Sequence, residues 1–205
     1  MIIHKMAQGS ENWHEIKLGR FSGTRIGKLM MGKSTAGYQN TIAEVAAEII
    51  TREKEENYVS EDMQRGIDLE PEAANEYSNL FGIDLHEVGF IEPEHCLSEW
   101  TGISPDRLID EDGMLEIKCP KVKTLFKYIE KNVLPGEYKW QVQSQLWVTE
   151  RQWCDFMAYY PKLKPFIIRV FPDVEMHKKI NTELEIAVQL VKDTIKMYKN
   201  YDHEK

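Results

Sequence analysis

The chain has 205 residues, 42% of them hydrophobic, and a net charge of −8 with a pI near 5.4. That length suits one domain, or one domain with a small appendage, and that apolar fraction is enough to bury a core. The acidity argues against a nucleic-acid coat or a basic tail, but not against a local DNA-binding groove, and part of it is charge that a metal ion would neutralise. No apolar run approaches the roughly 20 residues that a membrane-spanning helix needs. The amino-terminal MIIHKMAQGSENW lacks the basic start and long apolar stretch of a signal peptide, so the expectation is a soluble intracellular protein.

Apolar spacing predicts helices over 10–18, 23–31, 38–54 and 61–81. Strands are then expected over 84–92, 98–104, 106–110 and 113–119, with Asp110-Glu111-Asp112-Gly113 as turn chemistry between the last two. A helix over 121–132 follows, and Pro135-Gly136 breaks the chain before another over 137–149. Two strands, WCDFMAYY and PFIIRVF, lead to a long helix from 173 to 200, which Pro172-Asp173 starts. This order describes an α/β domain with a mixed central sheet flanked by helices, not a regular βαβ repeat.

Three cysteines, Cys96, Cys119 and Cys154, form no CxxC pair, so neither a zinc ribbon nor a disulfide framework is indicated. They are read as ordinary thiols in or near the core.

Chemistry gathers in "SPDRLIDEDGMLEIKCP", residues 104 to 120. On a strand, Glu116 and Lys118 project from one face together with Met114, while Leu115, Ile117 and Cys119 take the other. Asp106, across the turn, can reach the Glu116 face. An isolated Glu-x-Lys on a strand is ordinarily an exposed ion pair of little energetic weight. Two converging carboxylates beside an ammonium are instead what Mg²⁺ uses: hard oxygen ligands with room left for water and phosphate oxygens. A neighbouring lysine can orient a water and stabilise charge on phosphorus.

This stretch resembles the PD-(D/E)xK nuclease signature, whose core is restriction-endonuclease-like, and specifically the lambda exonuclease (YqaJ-type viral recombinase) family. Three further stretches are similar to the same family in the same order: WHEIKLGRFSGTRIGKLM, MQRGIDLEPEAANEYSNLFG and YKWQVQSQLWVTERQWCDFMAYYP. The likeness covers most of residues 11 to 161.

The resemblance implies one nuclease domain over 1–205, with a catalytic core at about 60–172. The helices of 10–54 would contribute to a DNA-end pocket, and the helix of 173–200 would close the chain. It implies metal ligation by Glu70, Asp106 and Glu116, assisted by the backbone carbonyl of Ile117, with Lys118 beside the attacking water. It further implies a pocket for a 5′-terminal phosphate at Lys17, Thr24, Ser104 and Gln141. Arginine stands in the lambda-type pattern where this chain has Lys17, and Arg20 and Arg25 are near enough in sequence to substitute. Without the resemblance, a lysine on a short helix and a glutamate on a long one are ordinarily solvated. Gln143 and Gln145 are expected to continue the Gln141 face. Met63 takes the place of an apolar wedge at the duplex end, or of a core methionine. Trp13, Trp140, Trp147 and Trp153 are read as core.

The activity implied is a 5′→3′ exonuclease on double-stranded DNA ends that uses two Mg²⁺ ions, with Mn²⁺ able to substitute. It would release 5′-mononucleotides and leave 3′ tails for a single-strand annealing protein. A homotrimeric ring, a phage or prophage origin and a bacterial cytoplasmic setting belong to the same implication. The alternatives are an endonuclease or repair nuclease of the same superfamily, and a catalytically silent DNA-end-binding scaffold. Iron–sulfur members are disfavoured, because three cysteines cannot supply four thiolates.

Overall fold

A computed structural model of the chain describes residues 1–54, 60–94 and 97–202; Cys96 lies outside these. A short strand, β1 (Ile2–His4), precedes four helices: α1 (Glu11–Lys17), α2 (Gly23–Leu29), α3 (Ala36–Thr51) and α4 (Glu61–Phe81). Ser10, Thr35 and Ser60 cap α1, α3 and α4, each side-chain oxygen accepting the amide three residues on. Helix α4 also gains from Glu61 and Asp62 in its first turn, and it stops at Gly82, whose φ of 65° only glycine adopts without cost.

Strand β2 (Phe90–Glu92) pairs antiparallel with β1. The central sheet follows, with β3 (Arg107–Ile109), β4 (Gly113–Lys118), β5 (Trp153–Ala158) and β6 (Phe166–Val170) in that spatial order. The β3–β4 and β5–β6 pairs are antiparallel and β4–β5 is parallel, so the sheet is mixed. A parallel step needs a crossover. Here α5 (Val122–Lys131) and α6 (Lys139–Thr149) supply it, and α7 (Val174–Lys199) ends the fold.

Alternation along β4 sends Met114 to one side, against Phe156, Leu125, Val142 and Leu146, and Leu115 and Ile117 to the other, against Ala73, Ala74 and Tyr77 of α4. Each large apolar side chain buried this way contributes about 1.5–3 kcal/mol relative to exposure. A third cluster joins α2 and α3 to α7 through Phe21, Ile26, Val45, Leu184 and Val191. The sheet therefore lies between α4 and the α5–α6 crossover, with the helical cluster packed beyond α6.

Two expectations change here. Only 90–92 of the predicted 84–92 is strand, and 98–104 makes only the single bridges Phe21–Thr101 and Ile91–Ile103. Side chains crowd the glycines of these segments: a Cβ on Gly102 would collide with the Phe90 ring, and Pro93 ends the pairing beyond β2.

The β3–β4 turn is fastened from outside. Arg151, 7% exposed, directs Nη1 to the carbonyls of Ile109 (3.1 Å), Asp110 (2.9 Å) and Gly113 (2.7 Å). Asp110 sits at φ 45°, and Gly113 lies against the Trp153 ring with no room for a Cβ. Arg151→Ala removes the buried donor that these three carbonyls share and is expected to cost roughly 2–3 kcal/mol. Urea denaturation would read this directly. A variant within 0.5 kcal/mol of wild type, on the order of an ordinary surface change, would show that the turn holds itself.

Candidate active site

Proline places the first carboxylate. The β3–β4 ladder pairs Arg107 with Leu115 and would next join residue 105 to Ile117. Pro105 has no N–H, so the ladder stops. The Asp106 carboxylate takes over and accepts the Ile117 amide at 2.5 Å. Because the N–H and C=O of a strand residue face the same side, the Ile117 carbonyl also lies toward Asp106.

Glu116 is 1% exposed and fully engaged. Lys118 donates to its Oε1, and so does Gln141 at 2.6 Å, while Gln145 donates to its Oε2 at 2.6 Å. Burial alone would lower the Lys118 pKa, but the Glu116 and Asp106 carboxylates outweigh it and hold the amine charged. The Asp106 carboxyl is pushed well above the usual carboxylate range, first by burial and then by Glu116, with Lys118 opposing and Glu70 adding to the rise. Burial pushes the neighbouring Cys119 thiol up to about 11, so no thiolate is present near neutral pH.

Glu70, on α4, receives Arg107 Nη1 at 2.9 Å. Among the described residues, no three His, Cys, Asp or Glu side chains are gathered closely enough to hold an ion. The donor set still fits a hard divalent cation. Glu70 and Glu116 are paired with Arg107 and Lys118, and the Asp106 carboxyl, which burial and Glu116 make costly to ionise, is where a further positive charge would relieve that cost.

A second feature lies beyond Gln141, which packs against Gly23 at the start of α2. There, a recess of about 210 Å³ is lined by Lys17 and Thr24 together with Arg20, Arg25, Lys28 and Lys54, which outnumber the carboxylates of Glu44 and Glu48 and reverse the sign locally in an acidic chain. Burial first, then Lys54 and Arg25, lower the Lys17 pKa to about 7, against Glu48, which raises it. Glu48, 5% exposed, accepts both Arg25 nitrogens, at 2.6 and 2.9 Å, and the Gly19 amide at 2.9 Å. Arg20 is likewise held, by Glu92 at 2.9 Å and the Ser98 carbonyl at 2.8 Å. Neither arginine therefore stands unpaired beside Lys17.

Ser104 and Gln141 do not line this recess. Ser104 is linked to it through Trp13, whose ring carries Lys17 Nζ 3.5 Å above its centroid and whose Nε1 donates to Ser104 Oγ at 2.9 Å. Gln141 commits its amide nitrogen to Glu116. Gln145 extends the Gln141 face, as expected, but Gln143 does not. It turns to the Phe171 carbonyl, the Asp173 amide and His177, because two residues along a helix is half a turn. Met63 is 56% exposed, so the core reading of it does not hold.

The YqaJ-like viral recombinase domain matches residues 12–152. The chain belongs to that family. LHK-Exo, an alkaline exonuclease from Laribacter hongkongensis, superposes with a TM-score of 0.84 at 32% identity, covering 93% of this chain and 96% of its own. Its complex with dAMP superposes at 0.85 over the same shares. A phage related exonuclease from Haemophilus somnus 129PT shares the fold at a TM-score of 0.64 and 14% identity, with 87% of this chain and 96% of that one covered. No curated protein matches the sequence. Family and likeness together support a nuclease.

Within this YqaJ-like framework, four positioning side chains escaped the sequence reading: Arg107, Glu48, Arg65 and Trp13. Arg65 donates from α4 to the Cys119 carbonyl at 2.6 Å, tying the helix that carries Glu70 to the end of β4. Glu48 could have been found. It is a glutamate in helical step with buried Thr41 and Val45.

Proposed function

We propose that the chain is a Mg²⁺-dependent 5′→3′ exonuclease acting on double-stranded DNA ends, with one nuclease domain over 1–205 and a catalytic core at about 60–172. The observation that carries this reading is the joining of Asp106, Glu116 and Lys118 on adjacent strands, with Gln141 leading from them to a basic recess. Asp106, Glu116 and Glu70, with the Ile117 carbonyl, would hold two Mg²⁺ ions, or Mn²⁺ in their place. When bound, such ions supply Lewis-acid chemistry that activates water and neutralises the leaving 3′ oxygen. Lys118, kept charged by its carboxylate neighbours, orients the attacking water and stabilises phosphate charge.

Lys17 and Thr24 would bind a 5′-terminal phosphate, with Ser104 acting through Trp13 and Gln141 setting the distance to the carboxylates. Exposed Met63 near the start of α4 would part the strands. The products would be 5′-mononucleotides and 3′ tails passed to a single-strand annealing protein, in a homotrimer within the cytoplasm of a host that carries the phage or prophage.

The test is digestion of linear duplex labelled at either the 5′ or the 3′ end, with Mg²⁺ or with EDTA, alongside a covalently closed circle. Early release of labelled mononucleotide from the 5′ label alone, dependent on Mg²⁺, and a circle left intact are expected. Cutting of the circle as fast as the linear form would replace this reading with the endonuclease alternative. Light scattering is expected to give the mass of three chains.

A further inference from the structure

Arg107 follows Asp106 directly and is 8% exposed, so a permanently charged guanidinium lies against the candidate metal ligands. One nitrogen, Nη1, donates to Glu70 Oε1 at 2.9 Å and to the Asp106 carbonyl at 2.5 Å. The other, Nη2, stands 3.5 Å from Oε1 of Glu87, whose side chain is 83% exposed. Glu70 thus already has a cation, and it is this pairing that occupies the third carboxylate while Asp106 and Glu116 face each other.

A divalent ion drawing on Glu70 would compete with the guanidinium for one carboxylate, and two cations would then stand side by side. A buried arginine stripped of its partner is costly, whereas one that can move to a second carboxylate is not. Glu87 is placed to be that second acceptor: it lies 3.5 Å from the other guanidinium nitrogen and lines a surface groove with Arg107. We propose that Arg107 is a positioning residue that holds Glu70 in the metal-free protein and transfers to Glu87 when a divalent ion binds. Arg107 thereby sets how much metal the site requires. The proposal rests on the reading of Glu70, Asp106 and Glu116 as metal ligands.

The experiment is Mn²⁺ binding to the full chain without DNA, by calorimetry and by the loss of the free Mn²⁺ resonance signal. Arg107→Gln removes the competing charge and leaves a shorter, neutral polar side chain in its place. It is expected to tighten Mn²⁺ binding by about tenfold, the scale on which groups outside the ligand set act. Glu87→Gln is expected to weaken binding several-fold, and to have no effect in the Arg107→Gln background, because its influence runs through the guanidinium. Asp84→Asn, a carboxylate lining the same groove that is not paired with Arg107, serves as the control for loss of surface charge.

Unchanged or weaker binding in Arg107→Gln, or a Glu87→Gln effect that persists in that background, overturns the proposal. If Arg107→Gln does not fold, Glu87→Gln against Asp84→Asn decides: equal effects overturn it, and weakening confined to Glu87→Gln supports it. Wild-type protein that takes up no Mn²⁺ would instead remove the ligand assignment itself, and the proposal with it.

Discussion

Protein carrying Asp106→Asn is expected to fold normally and to lose digestion of linear duplex DNA altogether. The asparagine keeps an oxygen that can accept the Ile117 amide, so the join between β3 and β4 survives the change. What it removes is charge at a carboxyl that burial and Glu116 already make costly to ionise, so the metal-free protein has little reason to weaken. Asp106→Ala should be equally inactive but less stable, since the Ile117 amide then lacks an acceptor, at about 1–3 kcal/mol for an unsatisfied buried donor. Glu116→Ala should also abolish activity, and it leaves Lys118, Gln141 and Gln145 pointing at an empty acceptor position. Lys118→Ala acts differently: it removes a stabilising group and not a ligand, so a rate loss on the order of 10²–10³ is expected with metal binding retained. Initial rates with Mg²⁺, paired with urea melts, separate these cases. Substantial hydrolysis by Asp106→Asn would place the chemistry elsewhere.

How much of this was legible from the sequence depended on whether the signal was local. The α4 helix was read to its ends, because Ser60 and Gly82 are cap residues at both termini. The alternation of β4 gave both of its faces correctly, since a strand buried on two sides and carrying only two charged residues leaves few registers open. The β1 strand was missed. Three residues carry no period, and the strand it pairs with, β2, lies some 90 residues away. The segments 84–92 and 98–104 were over-read as strand for the converse reason: they have strand-like composition but, among the described residues, meet their neighbours only in short pairings.

The candidate site divides the same way. Asp106, Glu116 and Lys118 share one turn and two strands, so their meeting follows from spacing, and β4 sits where that reading put it. The split between Gln145 and Gln143 also follows from helical periodicity, and the expectation that both support Gln141 overlooked it. Arg107 could not be ranked from sequence. An arginine between an aspartate and a leucine on an edge strand looks solvated, and only the packing of α4 over β4 brings Glu70 to it. Trp13 was read as core because tryptophan usually is. Its indole N–H instead spans from the recess to Ser104.

The 5′ end supplies the other large effect. A terminal phosphate carries up to two negative charges that a 5′ hydroxyl lacks, so linear duplex with phosphorylated ends is expected to be degraded at least tenfold faster, on the order of what one paired charge contributes. The ratio of the two rates is the useful quantity, because effects of pH on the hydrolytic step cancel in it. Lys17 makes that ratio depend on pH. Its pKa of about 7 lies below the ordinary lysine value of 10.5, owing to burial and then to Lys54 and Arg25. In the free protein the amine is therefore charged below about pH 7 and largely neutral above it. Phosphate favours the charged form, so above pH 7 binding must also bring in a proton. That requirement costs up to about 1.4 kcal/mol, or tenfold in the ratio, for each pH unit. The preference for phosphate should be full at pH 6.5 and fall steadily through pH 8 and 9. Lys17→Arg, charged throughout, should hold a constant preference across that range. Lys17→Ala should show almost none at any pH. Equal rates on the two kinds of end in the wild-type protein would remove the phosphate recess and the polarity drawn from it. A wild-type ratio independent of pH and matched by Lys17→Arg would keep the recess but deny Lys17 its titration. Neither result would touch the assignment of Asp106, Glu116 and Lys118, since those residues act on every scissile bond and the recess on the terminus alone.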